Sequence, residues 1–154
     1  MIRIQTTPPP GEDIGFLTHR ATRLLRQRMN VAVAQFGLTA QQAAVLLALS
    51  GLDDATPSTL ADALGIDRPT MTGLVRRLER DGWVRQSPHP TDGRARIVTP
   101  TDRTLHALPD IAGASVAVSA DALAGFSDPE CRLLLELLTR MGDTLEDRIG
   151  RIES

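Results

Sequence analysis

The 154-residue chain contains no lysine and no tyrosine, only one cysteine, and 3% aromatic residues in all. Each shortage removes a class of function. A single thiol, Cys131, cannot close an intrachain disulfide, complete a Cys-x-x-Cys redox pair or build a zinc ribbon, and an inert buried thiol is the expectation for it. So few aromatic rings leave no stacking platforms of the kind that hold RNA or single-stranded DNA. The uncharged apolar stretch 111–120 is about half of what a membrane span requires. His19, His89 and His106 are scattered, so no metal-ligand spacing arises. No Ser/His/Asp set, paired carboxylates or glycine-rich phosphate loop is present either. These absences predict a protein with no metal, no cofactor and no enzymatic activity. The formal charge of −2 excludes a generally basic nucleic-acid coat and leaves a local basic face open. Residues 1–12, rich in Pro and Thr, read as a disordered arm rather than a signal peptide, and the chain reads as cytoplasmic with no membrane partner.

What is present is helical punctuation. Apolar residues keep helical spacing over 13–36, and Gly37 breaks the pattern. Thr39 and Gln42 form a capping box that opens an almost wholly apolar helix, 40–49. Thr56 followed by Pro57 starts a third helix, 57–64, which Gly65 closes. Asp67 caps a fourth, 68–81, with Leu74, Val75 and Leu78 on one face and Gly82 behind it. Two helices joined by so short a glycine-containing turn make a helix-turn-helix. Residues 83–87 and 96–99 then alternate apolar and polar across a tip rich in Pro, Asp and Gly, which is a β-hairpin. A helix-turn-helix with a hairpin behind it is a winged helix.

Thr101 is expected to cap a fifth helix, 102–124, kinked at Pro109 and presenting a small-residue run, 113–120, to a close partner. Ser127 and Glu130 form a capping box for a last helix, on which Leu134, Leu138, Met141, Leu145, Ile149 and Ile152 make a stripe. A domain this small offers that stripe no partner, and a second subunit would. The expected architecture is mainly α, with a dimerisation helix at 13–37, a winged helix-turn-helix lobe with an α/β wing at 38–100, and C-terminal dimerisation helices at 101–154.

Charge is unevenly spread. Residues 66–96 hold seven arginines against four acids, a surplus of three, while the rest of the chain carries an excess of five acids. Solvated arginines on an exposed face explain any one of these residues, but they explain the cluster poorly, and a basic patch on a winged helix is the footprint of phosphate approach. On the fourth helix Arg68, Thr70, Thr72, Arg76 and Arg77 lie off the core face, the two threonines being short donors suited to phosphates or base edges. Gly73 either lets the backbone approach DNA or sits at a helix–helix contact. At the hairpin tip Arg94, supported by Arg96, is placed to enter a minor groove, with Asp92 able to pair with the Arg94 guanidinium and hold its fork.

The residues 78–85, LERDGWVR, followed by 88–99, PHPTDGRARIVT, together with LADALG at 60–65 and DRPTMT at 67–72, resemble the MarR family of bacterial winged-helix regulators. The similarity runs from about residue 13 to 152. It implies an obligate homodimer with intertwined N- and C-terminal helices, both recognition helices in successive major grooves and both wings at flanking minor grooves. Arg94 matches the family's wing arginine, Asp92 its orienting acid, and Thr70, Thr72 and Arg76 its recognition positions. The resemblance further implies a repressor of an inverted-repeat operator in double-stranded DNA, relieved by a small aromatic or anionic effector. Phe16, His19, Arg20 and Arg23 on the first helix would line a crevice for an aromatic carboxylate, the competing explanation being surface ion pairs. The alternative function is a winged-helix protein-interaction module without DNA binding.

Overall fold

The computed structural model describes Gly11 and residues 13–152; the N-terminal arm expected at 1–12 lies outside them apart from Gly11. The described chain is mainly helical. Helix α1, Ile14–Val33, starts at Asp13, whose carboxylate accepts the Phe16 amide at 2.7 Å, and ends in a 3-10 turn, Ala34–Phe36, closed by Gly37 at φ 70°. Helix α2, Ala40–Leu49, has the expected capping box: Gln42 N donates to Thr39 Oγ1 at 3.2 Å and Thr39 N to Gln42 Oε1 at 2.9 Å. Asn30 ties the two helices together by accepting the Ala40 amide at 2.7 Å.

Helix α3, Pro57–Leu64, is capped by Thr56, with Thr59 bonding back to it, and helix α4, Arg68–Arg80, by Asp67. Gly65 at φ 60° makes the short turn between them, where Ile66 N reaches Ala61 O at 3.0 Å. After α4 the same device recurs: Gly82 at φ 77° lets Trp83 N return to Leu78 O at 2.8 Å. Strands β1, Val84–Pro88, and β2, Arg96–Pro100, pair antiparallel in the register Val84↔Pro100 to Pro88↔Arg96. Helix α5, Asp102–Leu123, continues through Pro109, whose missing N–H leaves a carbonyl of the preceding turn without its helical donor. Helix α6 spans Asp128–Ile152.

Compactness divides the chain inside α5, into Met1–Val118 and Ser119–Ser154. The first unit holds one apolar core. Leu46, Leu60, Met71, Val75 and Leu78 from α2, α3 and α4 are fully enclosed, joined by Trp83, Val84 and Val98 from the wing, Val33 from α1 and Ile111 from α5. Burying such side chains contributes about 1.5–3 kcal/mol each, and it fixes α4 by the inner face Met71, Leu74, Val75 and Leu78. In the second unit no described side chain of α6 is buried, and Leu133, Leu135, Leu138, Leu145 and Ile149 stand exposed. Cys131 at its start is half-buried, not enclosed as expected.

Thr101 departs from its expected role. Its hydroxyl donates backwards to the carbonyls of Gly82, at 2.9 Å, and Trp83, at 3.2 Å, instead of capping α5. The buried Thr104 hydroxyl bonds the same Trp83 carbonyl, while Arg103 donates to Asp81 O at 2.7 Å and lies 3.9 Å above the Trp83 ring. The first turn of α5 is thus stapled to the turn between α4 and β1. Ser127 also does half of what was expected: Glu130 accepts both its amide, at 2.8 Å, and its hydroxyl, at 2.7 Å.

Among the described residues no single helix is long and apolar enough to cross a membrane, and no group of three or more His, Cys, Asp or Glu is placed to hold a metal ion.

Candidate nucleic-acid interface

The buried inner face of α4 forces the opposite side outward, so Arg68, Pro69, Thr70, Arg76 and Arg77 are exposed. The helix begins at Asp67, which accepts the Thr70 amide at 2.8 Å. The Thr70 amide and hydroxyl hold the Asp67 carboxyl below the usual carboxylate range. The Thr72 hydroxyl donates to Arg68 O at 2.9 Å. Its proton is spent within the helix, so Thr72 offers a methyl group and an acceptor rather than the donor expected from sequence. A Cβ at Gly73 would meet nothing but the Arg77 guanidinium, at 3.8 Å, so the helix–helix explanation for this glycine falls away.

The wing is fixed along both edges. Gln86 and Val98 face each other across the hairpin with their backbone groups turned outward. On the β2 side Val98 N donates to Ala55 O at 2.7 Å. On the β1 side Gln86 N donates to Glu79 Oε1 at 3.0 Å, Gln86 Nε2 donates to Glu79 Oε2 at 2.7 Å, and Gln86 O accepts from Arg96 at 2.9 Å. The tip carries its own bonds. His89 Nδ1 accepts the amides of Thr91, at 3.3 Å, and Asp92, at 3.2 Å, and Ala95 O accepts the His89 amide at 3.1 Å.

Asp92 acts on Arg94 through the backbone. Its carboxylate accepts the Arg94 amide at 3.0 Å, and among the described residues no ion pair joins it to the guanidinium. Two residues apart in a tight turn, an aspartate reaches the following backbone N–H before it reaches the end of a long side chain. The Arg94 fork is therefore free to meet a ligand while the chain beneath it is held.

These elements enclose a cleft of about 430 Å³ between the start of α3, the side of α4 and the wing. Thr72, Arg76, Asp92, Arg94 and Arg96 all line it, whereas Arg68, Thr70 and Arg77 lie elsewhere on α4. Thr56, Ser58 and Gln86 join the lining although sequence marked none of them for binding; Thr56 read only as a cap. Further along α4 and beyond it, Arg80 and Asp81 pair at 2.8 Å, which raises the arginine and lowers the Asp81 carboxyl from their ordinary values. Phe16, His19, Arg20 and Arg23 share one side of α1 at helical spacing, and all four are exposed.

Comparison with known proteins agrees with this geometry. The sequence profile of the MarR family matches residues 36–95, which contain α2, α3, α4 and the first strand and tip of the wing. The transcriptional activatory protein BadR of Rhodopseudomonas palustris is 33% identical over 135 residues, covering 85% of this chain and 77% of BadR. The HTH-type transcriptional repressor Mb2911 of Mycobacterium bovis is 29% identical over 130 residues, covering 84% of this chain and 93% of its own. The crystal structure of the regulator PcaV from Streptomyces coelicolor, in complex with its natural ligand, superposes with a TM-score of 0.80 at 25% identity, covering 90% of this chain and 98% of PcaV. With a winged helix whose basic side lies open and with relatives at this level of identity, the chain belongs to the MarR family and is a DNA-binding transcriptional regulator.

Proposed function

We propose that this regulator is a homodimer that binds an inverted-repeat operator in double-stranded DNA, represses transcription from it, and releases it on binding a small aromatic or anionic effector. The observation that carries the reading is the convergence of Arg76, Arg94 and Arg96 on one cleft between α4 and the wing. Helix α4 enters the major groove, where Arg76 and Thr70 address base edges and Arg68 and Arg77 address phosphates. Arg94 reaches the neighbouring minor groove from the wing, with Asp92 holding its backbone. The sugar-phosphate strand that separates two adjacent grooves passes through the cleft between them.

Dimerisation is supported by apolar side chains that one chain leaves in water: Ile14, Leu17, Leu24 and Leu25 on α1, and Leu138, Leu145 and Ile149 on α6. A two-fold dimer presents two α4 helices to one side of the duplex, hence an inverted repeat with half-sites about one helical turn apart. Repression agrees with the name of Mb2911, and the name of BadR makes activation the outcome to test against. The effector proposal rests on the exposed Phe16, His19, Arg20 and Arg23, apolar and cationic groups side by side, and on the ligand bound by PcaV. An effector releases DNA only by binding the DNA-incompetent state more tightly.

The test is selection of duplexes from a random pool by the full-length protein. An enriched inverted repeat, with binding that weakens steeply as salt rises, supports the reading. Enrichment of a lone half-site contradicts the dimeric mode. A reporter behind the enriched site then gives the direction of regulation.

A further inference from the structure

The acid Glu79 stands out on a helix that carries four arginines. Helix α4 carries Arg68, Arg76, Arg77 and Arg80, and a carboxylate among them weakens the attraction for phosphates. Glu79 is exposed, yet both of its oxygens are engaged, and neither engages an arginine. Oε1 accepts the Gln86 amide at 3.0 Å and Oε2 accepts the Gln86 side-chain amide at 2.7 Å. Among the described residues these are the side-chain hydrogen bonds that join α4 to strand β1.

The place of this link in the wing gives it leverage. Gln86 lies midway along β1, and beyond it the tip is braced by its own bonds from His89 and Asp92. The tip therefore moves with the strands as one piece. At roughly 3.3 Å per residue Arg94 lies on the order of 10 Å beyond the link. A rotation of about 20° at Gln86 would displace it by roughly 3 to 4 Å, more than half the width of a minor groove of about 6 Å.

We propose that Glu79 is a positioning residue: by gripping the backbone and side chain of Gln86 it sets the separation of wing and recognition helix, so that Arg94 meets the minor groove while α4 occupies the major groove. The proposal rests on the DNA-binding reading above. It also explains why a carboxylate is placed where charge alone argues against it.

The experiment uses the full-length protein and the duplex it selects from a random pool. Affinity is measured for the parent, Glu79→Ala, Arg94→Ala, the double variant, and the exchange Glu79→Gln with Gln86→Glu. The exchange reverses donor and acceptor between the two side chains, keeps the net charge and leaves a carbonyl oxygen for the backbone amide. Glu79→Ala should lose about tenfold in affinity, and adding it to Arg94→Ala should cost little more than Arg94→Ala alone, because the aim of an absent arginine is immaterial. The exchange should recover affinity to within about threefold. Thermal melts identify any variant that fails to fold, and the exchange pair decides the matter if Glu79→Ala is one of them. Multiplicative losses, or an exchange pair that folds like the parent and binds no better than Glu79→Ala, would overturn the proposal. So would variants that bind the selected duplex as tightly as the parent. A pool from which the unmodified protein enriches nothing overturns the DNA-binding reading itself, which is a distinct result.

Discussion

Asp92 accepts a backbone amide instead of forking onto a guanidinium, and the difference changes what its substitution should do. Asparagine keeps an oxygen in the same place, so Asp92→Asn should bind the selected duplex within about twofold of the parent. Asp92→Ala, which releases the Arg94 backbone, should lose about 0.5–1.5 kcal/mol of binding. A fluorescence-anisotropy titration of both variants separates this from an ion pair, which Asp92→Asn would also break. Gly73 offers a second residue-scale test. Since a Cβ there meets only a flexible guanidinium, Gly73→Ala should raise stability by about 0.5–1 kcal/mol while lowering DNA affinity through its methyl group at the DNA surface. Denaturant unfolding and titration together check it, and a variant that is both more stable and equally tight-binding would remove Gly73 from the interface.

Helix α4 begins at a charged cap, and this makes one element sensitive to acid. The Asp67 carboxyl lies below its ordinary value because the folded chain bonds its ionised form through Thr70. A group lowered in this way adds stability above its unfolded pKa, about 4, and loses it as pH falls through the folded value. The thermal midpoint of the parent should thus exceed that of Asp67→Ala by a constant margin between pH 5 and 8, with the margin shrinking below about pH 4. The opposite end of α4 depends on tertiary partners. Thr104 is buried and bonds the Trp83 carbonyl, which Thr101 also bonds, so Thr104→Val should destabilise the protein by about 0.5–1.5 kcal/mol, measured by urea unfolding. The same staple explains why Thr101 does not cap α5. Gly82 and Trp83 present carbonyls that its hydroxyl reaches, a contact across 18 or 19 residues.

For the whole molecule the decisive quantity is the apolar surface left by one chain. Leu138 is 46% and Ile149 54% exposed on a helix with no buried described side chain, which is unfavourable unless another surface covers it. Leu138→Asp or Ile149→Asp should therefore weaken association by roughly 3 kcal/mol or more, the cost of enclosing an unpaired charge. Sedimentation at micromolar concentration should show the parent as a dimer and either variant as a monomer. The monomer should keep its salt-dependent attraction for DNA and lose its preference for an inverted repeat. A parent that sediments as a folded monomer would refute the dimeric reading.

Local chemistry alone determined where α2, α3 and α4 begin and where α3 and α4 end. Thr39, Thr56 with Pro57, and Asp67 each offer an oxygen to an amide three residues ahead, and Gly65 and Gly82 accept the left-handed backbone that ends a helix. Partners that close in sequence need no tertiary context, and the winged helix and its basic cluster were legible for that reason. Tertiary structure decided which hydrogen-bond partners meet across the chain. Val98 reaches Ala55, Thr104 reaches Trp83, and Glu79 reaches Gln86 only once the register of two strands and the rotation of α4 about its axis are set. Both are set by burial of the core face that Met71, Leu74, Val75 and Leu78 share with Trp83, Val84 and Val98. A charge pattern records that arginines are present. The packing of that core decides which of them, Arg76, Arg94 and Arg96, line one cleft, and which, Arg68 and Arg77, do not.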